Sequence, residues 1–163
     1  MNSLHDVYHD QLQDIYSACK QSLEVTKELS GHSKSQELTD ALKAGADGIE
    51  QGMSQIESLC AKHEIDPNGE HCHGMAGLVK EARSHGIEEN FTDDDARDAM
   101  IITQYQRMAH YAIAGYGCLK AFAGRLGLDE DKEVLDTCLS NTYDGDDHMT
   151  RIAEGGVNKA AMS

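Results

Sequence analysis

The chain has 163 residues, which is enough for one domain with a buried core and too few for two. It carries 29 acidic and 14 basic residues, a formal net charge of −15, and so repels nucleic-acid backbones and anionic lipid. Tryptophan is absent, Pro67 is the only proline, and residues that favour helices dominate. The composition therefore predicts an all-α protein that binds neither nucleic acid nor membranes.

Two long helices are predicted in the first part of the chain. The first begins near Ser3, which forms a loose capping box with Asp6, and ends with Gly31 as its C′ residue. The second shows apolar and small residues in alternating steps of four and three, the pattern of a helix packed lengthwise against others. These residues are Leu38, Leu42, Gly45, Ile49, Gly52, Ile56 and Leu59.

A long connection over residues 65–92 follows and includes a short amphipathic helix at 75–83. The third long helix starts after Thr92, where three aspartates suit a helix N-terminus, and ends at Gly127. The fourth begins near Asp129, and residues 156–163 are expected to fray. Two helical hairpins joined by a crossover predict one ferritin-like four-helix-bundle domain over residues 1–155, with a short extra helix between its second and third helices.

The N-terminus lacks a basic and an apolar stretch, so we expect no signal peptide. No segment approaches the roughly 18 apolar residues that cross a bilayer. The five cysteines are scattered without a C-x-x-C pair, which is typical of reduced thiols. These features predict a cytoplasmic protein.

Three motifs resemble those of a known family, in the same order and at similar separations. Residues 14–21 resemble its D-x-Y-x-A-E-x-Q, residues 72–78 its C-x-x-M-x-G-L, and residues 109–117 its E-H-Y-E-I-A-x-Y-G. The chain thus resembles the YciF/YciE-like family of ferritin-like bacterial stress-response proteins. The resemblance implies a bundle in which inward-facing carboxylates and a histidine hold two metal ions.

Most positions that the resemblance assigns to metal ligands carry other residues here. Asp146 matches the family pattern, but residues 99–126 contain no Asp or Glu, so no shift of register supplies the third helix with a carboxylate. One carboxylate cannot hold two metal ions, and we therefore expect no bound metal and no cofactor. The substituted positions are Cys19, Gly45, Gly48, Ala109, Ala112 and Thr142.

The small replacements leave two alternatives for the core. Each interior glycine costs about 1 kcal/mol of helix propensity relative to alanine, so a reason is needed for several on one seam. Either the helices approach closely and fill the emptied site, or a cavity remains that takes a small apolar or redox-active ligand. His110 either makes a hydrogen bond inside the bundle or faces a partner, and we expect the former; we expect Cys19 to be a buried, inert thiol. The predicted cavity lining is Tyr16, Cys19, Tyr105, His110, Tyr116 and Asp146.

Histidines form two further candidate sites. His71, Cys72 and His73 are the most metal-like cluster in the sequence, yet the family motif already accounts for Cys72 and no second cluster accompanies them. Adventitious metal binding is therefore the prediction there. His5 and His9 share a helix face near the terminus, where we expect solvated side chains.

The sequence as a whole favours a non-catalytic, ferritin-like stress-associated protein, a homodimer that acts by binding or protection. The alternative is a metal-dependent oxidoreductase or metal-storage protein with iron or manganese at an atypical site. A third hypothesis is an interaction module whose acidic face recruits a basic protein partner. The identity of any protein or small-molecule partner does not follow from the sequence.

Overall fold

A computed structural model describes residues 1–162, and these residues contain helices and no strand. The helices are α1 (Leu4–His32), α2 (Gln36–Lys62), α3 (His73–Arg83), α4 (Asp94–Leu126), α5 (Asp129–Ile152) and α6 (Asn158–Ala160). One π-helical turn, Ser84–Glu88, extends α3, and another, Ala153–Val157, joins α5 to α6. The prediction of an all-α bundle with a short helix in the crossover is confirmed.

Local sequence signals set most helix ends. Ser3 accepts a hydrogen bond from the backbone N–H of Asp6 at 3.1 Å, and the Asp6 carboxylate accepts one from the N–H of Ser3, which completes the predicted capping box. Gly127 ends α4 at a φ of 72°, the left-handed conformation that favours glycine. The prediction for Gly31 was wrong, because α1 continues through His32 and ends at Ser33 in an extended conformation.

The C-terminal segment also differs from the prediction. Residues 156–162 do not extend as a frayed tail, since the chain stays helical as far as Ala160 and packs against α4. The side chain of Val157 is 7% exposed, and its burial supplies the reason. Ser163, part of the predicted tail, lies outside the described residues.

The four long helices form two hairpins that pack against each other. α1 pairs with α2, α4 pairs with α5, and the hairpins meet where α1 contacts α4 and α2 contacts α5. α3 lies against α1 and α4. The predicted seam of α2 faces the core, where Leu38, Leu42 and Ile56 are fully buried. None of the helices in residues 1–162 is both long and apolar enough to span a bilayer.

A buried aspartate fastens the hairpins together at the end where α1 turns into α2. Asp98 of α4 is 1% exposed, and its carboxylate accepts the backbone N–H groups of Lys34 and Ser35, both at 2.8 Å. These bonds satisfy two donors of the α1–α2 loop. The loop is thereby held on the start of α4.

A second buried aspartate joins the two hairpins at the opposite end of the bundle. Asp131 of α5 is fully buried and accepts hydrogen bonds from the Tyr8 hydroxyl at 2.9 Å, the Lys62 ammonium at 2.8 Å and His63 Nε2 at 2.5 Å. Burial favours the neutral acid, but the three donors outweigh it and lower the pKa of Asp131. We refer to Asp98 and Asp131 with their donors as the two end clasps.

Candidate functional site

A cavity of about 360 Å³ lies inside the bundle, between α2, α4 and α5, with α1 contributing to its wall. The small replacements therefore do not close the emptied site, and of the two alternatives for the core the structure shows the cavity. Every substituted ligand position lines it. These positions are Cys19, Gly45, Gly48, Ala109, Ala112 and Thr142.

Two tyrosines of α4 reach across the bundle to glycines of α2. A Cβ atom on Gly45 would lie 2.5 Å from the hydroxyl of Tyr105, and one on Gly52 would lie 2.7 Å from the hydroxyl of Tyr116. At either position an added side chain would force the tyrosine hydroxyl to shift, and glycine avoids that conflict. Gly48 lies between them on the same face, and a Cβ there would meet no atom within 4 Å.

Cys19 and Tyr116 form a buried, neutral pair on the inner wall. Cys19 is 4% exposed, and its Sγ lies 3.4 Å from the hydroxyl of Tyr116. Burial raises the pKa of Cys19 to about 11 and that of Tyr116 well above its usual value. Both groups are therefore protonated at neutral pH, and the thiol lacks the thiolate character that nucleophilic chemistry requires.

Two hydroxyls at the cavity have no hydrogen-bond partner among the described residues. The side chain of Thr26 is fully buried, and its Oγ1 is unpaired. The hydroxyl of Tyr105, a residue 8% exposed, also makes no hydrogen bond to another described residue. The two other threonines that line the cavity are bonded: Thr142 donates to the carbonyl oxygen of Cys138 at 2.8 Å, and Thr137 donates to that of Glu133 at 3.1 Å. The Tyr105 hydroxyl can thus still donate or accept at the cavity wall, whereas the Thr26 hydroxyl is enclosed by the protein.

Three of the residues predicted to line the cavity lie elsewhere. Tyr16 faces an outer groove beside α1, where its hydroxyl donates to the Glu57 carboxylate at 2.5 Å. The side chain of His110 is 63% exposed, and its Nε2 lies 3.0 Å from Oδ2 of Asp146. The prediction of an internal hydrogen bond for His110 was wrong, because Ala109 and Ala112 face the cavity and turn the intervening His110 outward.

The candidate metal cluster of the crossover does not assemble. Cys72 is fully buried and caps α3, with its Sγ 2.9 Å from the hydroxyl of Tyr111. His71 and His73 are exposed, with ring centroids 4.9 Å apart. Within residues 1–162, no group of three or more His, Cys, Asp or Glu side chains is arranged to hold a metal ion.

The three family motifs meet at one place, which we call the crossover junction. Tyr111 donates to the carboxylate of Asp14 at 3.2 Å, in addition to its contact with Cys72. Ser17 accepts the backbone N–H of Cys72 at 3.0 Å, and Gln21 donates to its carbonyl oxygen at 3.1 Å. The motifs therefore mark how the crossover is fastened to α1 and α4, a role that sequence reasoning did not identify.

A row of histidine rings lies beside the clasp of Asp131. The ring centroids of His9 and His63 are 5.2 Å apart, and those of His5 and His9 are 6.4 Å apart. The Nε2 atom of His9 is buried and has no hydrogen-bond partner among the described residues. Burial lowers the pKa of His9, and the like charge of protonated His63 and His5 lowers it further.

These features define the class: an all-α bundle of two hairpins, fastened by a crossover junction and two end clasps, with a cavity that no Asp, Glu, Lys or Arg of the described residues lines. The chain belongs to the family described as Domain of unknown function (DUF892), which it matches over residues 3–162. It is 31% identical over 165 residues to Protein YciF of Escherichia coli, covering 99% of this chain and 96% of YciF. The predicted resemblance is confirmed.

Solved structures agree in fold over almost the whole chain. The crystal structure of the E. coli stress protein YciF matches with a TM-score of 0.90 and 28% identity, covering 98% of this chain and 99% of that chain. YcfI, a putative structural protein from Rhodopseudomonas palustris, matches with a TM-score of 0.86 and 26% identity, covering 91% and 94%.

Proposed function

We propose that this chain is a non-catalytic, ferritin-like stress-associated protein whose di-metal site is degenerate and which acts by binding or protection. The observation that carries the proposal is that all the substituted ligand positions line one cavity. The similarity to the stress protein YciF supports the association with stress. The similarity to YcfI, described as a putative structural protein, is consistent with a role without catalysis.

The chemistry of the cavity wall supports the loss of the metal centre. Two hard divalent ions in a buried site need several ionised oxygen ligands, and no carboxylate lines this cavity among the described residues. Asp146, which matches the family pattern, is not among the described residues that line the cavity; its Oδ2 pairs with His110, and its Oδ1 is buried without a hydrogen-bond partner within residues 1–162. Burial raises the pKa of Cys19 to about 11, so a metal ion would have to displace the thiol proton before this sulfur could bind it.

The proposal includes a cytoplasmic location and a homodimer. All five cysteines are free thiols, as is usual in a reducing compartment. The family resemblance is the basis for the dimer. Light scattering should therefore give twice the chain mass of 17.8 kDa, and a mass equal to one chain would refute this part.

Metal analysis tests the proposal directly. The protein is purified without a nickel column, incubated with iron(II) or manganese(II), desalted and measured by plasma mass spectrometry. We expect no stoichiometric metal, and the same result for Asp146→Asn. About two equivalents per chain would overturn the proposal, since that is what a di-metal bundle holds. Metal that is bound by the wild type and lost in Asp146→Asn would establish an atypical site built on that carboxylate.

A further inference from the structure

We infer that the cavity binds a small uncharged molecule with a ring-sized apolar body and one hydrogen-bonding group. This inference rests on the proposed function, because a resident metal centre would need the same space. It goes further by assigning a class of ligand to the cavity. The charge of the cavity wall, the volume of the cavity, an unpaired hydroxyl on the wall and the access from solvent each support this inference.

The charge of the wall selects for a neutral ligand. The chain has 29 acidic and 14 basic residues, yet among the described residues no Asp, Glu, Lys or Arg lines the cavity, and His148 at its exposed rim is the one lining side chain there that would become positive on protonation. An ion moved into this space would lose its hydration without gaining a counter-charge, which is strongly unfavourable. The net charge of −15 adds a long-range repulsion against anions.

The volume sets the size of the ligand. At about 360 Å³ the cavity falls within the range of roughly 300–1,000 Å³ that is usual for small-molecule sites. It is more than twice the roughly 150 Å³ of an engineered apolar cavity that binds benzene. A molecule with two or three fused or linked rings therefore fits, and a lone water molecule or small gas would leave most of the space empty.

The hydroxyl of Tyr105 accounts for the hydrogen-bonding group. Tyr105 lines the cavity beside Gly45, is 8% exposed, and its hydroxyl makes no hydrogen bond to another described residue. A polar group without a partner in a largely apolar wall gains a hydrogen bond when a ligand supplies one. The hydroxyl of Thr26 is also unpaired among the described residues, but it is fully buried and presents no surface to a ligand in the cavity.

Access runs through the seam between α2 and α5. Gly48 and Gln51 of α2 and Asn141 of α5 line the cavity and are exposed to solvent. Gln51 and Asn141 present uncharged amides, Gly48 adds no side chain to the opening, and His148 of α5 also lines the exposed side. A neutral molecule can therefore enter without separation of the helices.

Fluorescence titration with a matched pair of probes tests the ligand class. N-phenyl-1-naphthylamine is neutral, and 1-anilinonaphthalene-8-sulfonate has the same ring system with an added sulfonate. We expect saturable binding of one neutral probe per chain, at least about tenfold tighter than binding of the anionic probe. Absence of saturable binding of the neutral probe, or equal affinity for both, would overturn the inference.

Variants place the bound probe in the cavity. Gly48→Leu adds a side chain where no atom lies within 4 Å, so the fold is kept while the space is filled. Gly117→Leu is the matched control, because Gly117 is also helical, has no neighbour within 4 Å and lies outside the cavity. We expect affinity to fall about tenfold or more in Gly48→Leu and to stay unchanged in Gly117→Leu. Equal affinity in wild type, both variants and a second cavity variant, Ala112→Leu, would refute binding at this place.

A second pair of ligands tests the hydroxyl. Naphthalene and 2-naphthol compete with the bound probe, and Tyr105→Phe should weaken competition by 2-naphthol while leaving naphthalene unchanged. Loss for both, or for neither, would contradict the assigned role of the Tyr105 hydroxyl. Metal content is measured on the same samples. Stoichiometric iron or manganese would overturn the proposed function, whereas metal-free protein that fails to bind the neutral probe would overturn only the ligand class.

Discussion

Gly45 and Gly48 of α2 allow a sharp test, because an added Cβ would meet close neighbours at the first and open space at the second. We predict that Gly48→Ala stabilises the protein and that Gly45→Ala does not. A Cβ at Gly48 would meet no atom within 4 Å, so alanine adds only helix propensity, worth about 1 kcal/mol. A Cβ at Gly45 would lie 2.5 Å from the Tyr105 hydroxyl and 3.1 Å from two atoms of its ring.

The magnitude for Gly45→Ala follows from two opposing effects. Alanine gains the same propensity of about 1 kcal/mol, but overpacking a well-ordered interior costs typically about 1–3 kcal/mol. The net change is therefore expected between no effect and a loss of about 2 kcal/mol. Relative to Gly48→Ala, the difference should be about 1–3 kcal/mol.

Urea unfolding followed by circular dichroism gives both free energies of unfolding, provided that the slopes with denaturant are equal. For a domain of this size, about 1 kcal/mol corresponds to roughly 2–4 °C in the melting temperature. Removal of the hydroxyl in Tyr105→Phe should relieve most of the penalty, so the double variant Gly45→Ala/Tyr105→Phe should show a favourable coupling. Equal stabilisation by Gly45→Ala and Gly48→Ala would refute the contact between Gly45 and Tyr105.

Three further predictions concern single side chains. Thr26→Val removes an unpaired buried hydroxyl and should stabilise the protein by about 1–2 kcal/mol in urea unfolding, whereas Thr142→Val removes a bonded one and should give no gain. The pKa of His9 is lowered on folding, so the unfolded chain takes up the proton first as the pH falls below about 6.5. Stability should drop between about pH 7 and 5, and less so in His9→Gln; equal slopes would contradict this. Ellman's reagent should modify only Cys118 in the native protein, because the other four cysteines are buried, and modification of more than one thiol would contradict the packing.

Helices and their ends follow from the sequence because their signals are local. The capping box of Ser3 needs only Asp6, three residues away, and the left-handed Gly127 needs only the end of its own helix. Gly31 shows the limit of such signals, since glycine permits a left-handed C′ conformation without requiring it. The prediction of α2 succeeded because its apolar period is long and regular.

The site was predictable only in part, because side-chain direction depends on how the helices are rotated against each other. The substituted ligand positions predicted the wall of the cavity, including Cys19 and Thr142, since helical spacing had already placed them on inward faces. The inward direction predicted for His110 failed, although its neighbour Ala109 was placed correctly. The volume of the cavity and the donors to Asp131 depend on contacts across many residues, and no local pattern encodes them.

The two end clasps join the hairpins at opposite ends of the bundle. α4 has 33 residues and is therefore about 50 Å long, and Asp98 near its start and Asp131 beyond its end fix one hairpin on the other at both limits of that length. For α2 to slide along α5, a buried carboxylate would have to give up its donors, at a cost of several kcal/mol. The lengthwise register of the two hairpins is thus fixed at their ends, and Tyr105 and Tyr116 contact α2 between those ends. Substitutions in the cavity wall can therefore change what the space admits without shifting this register.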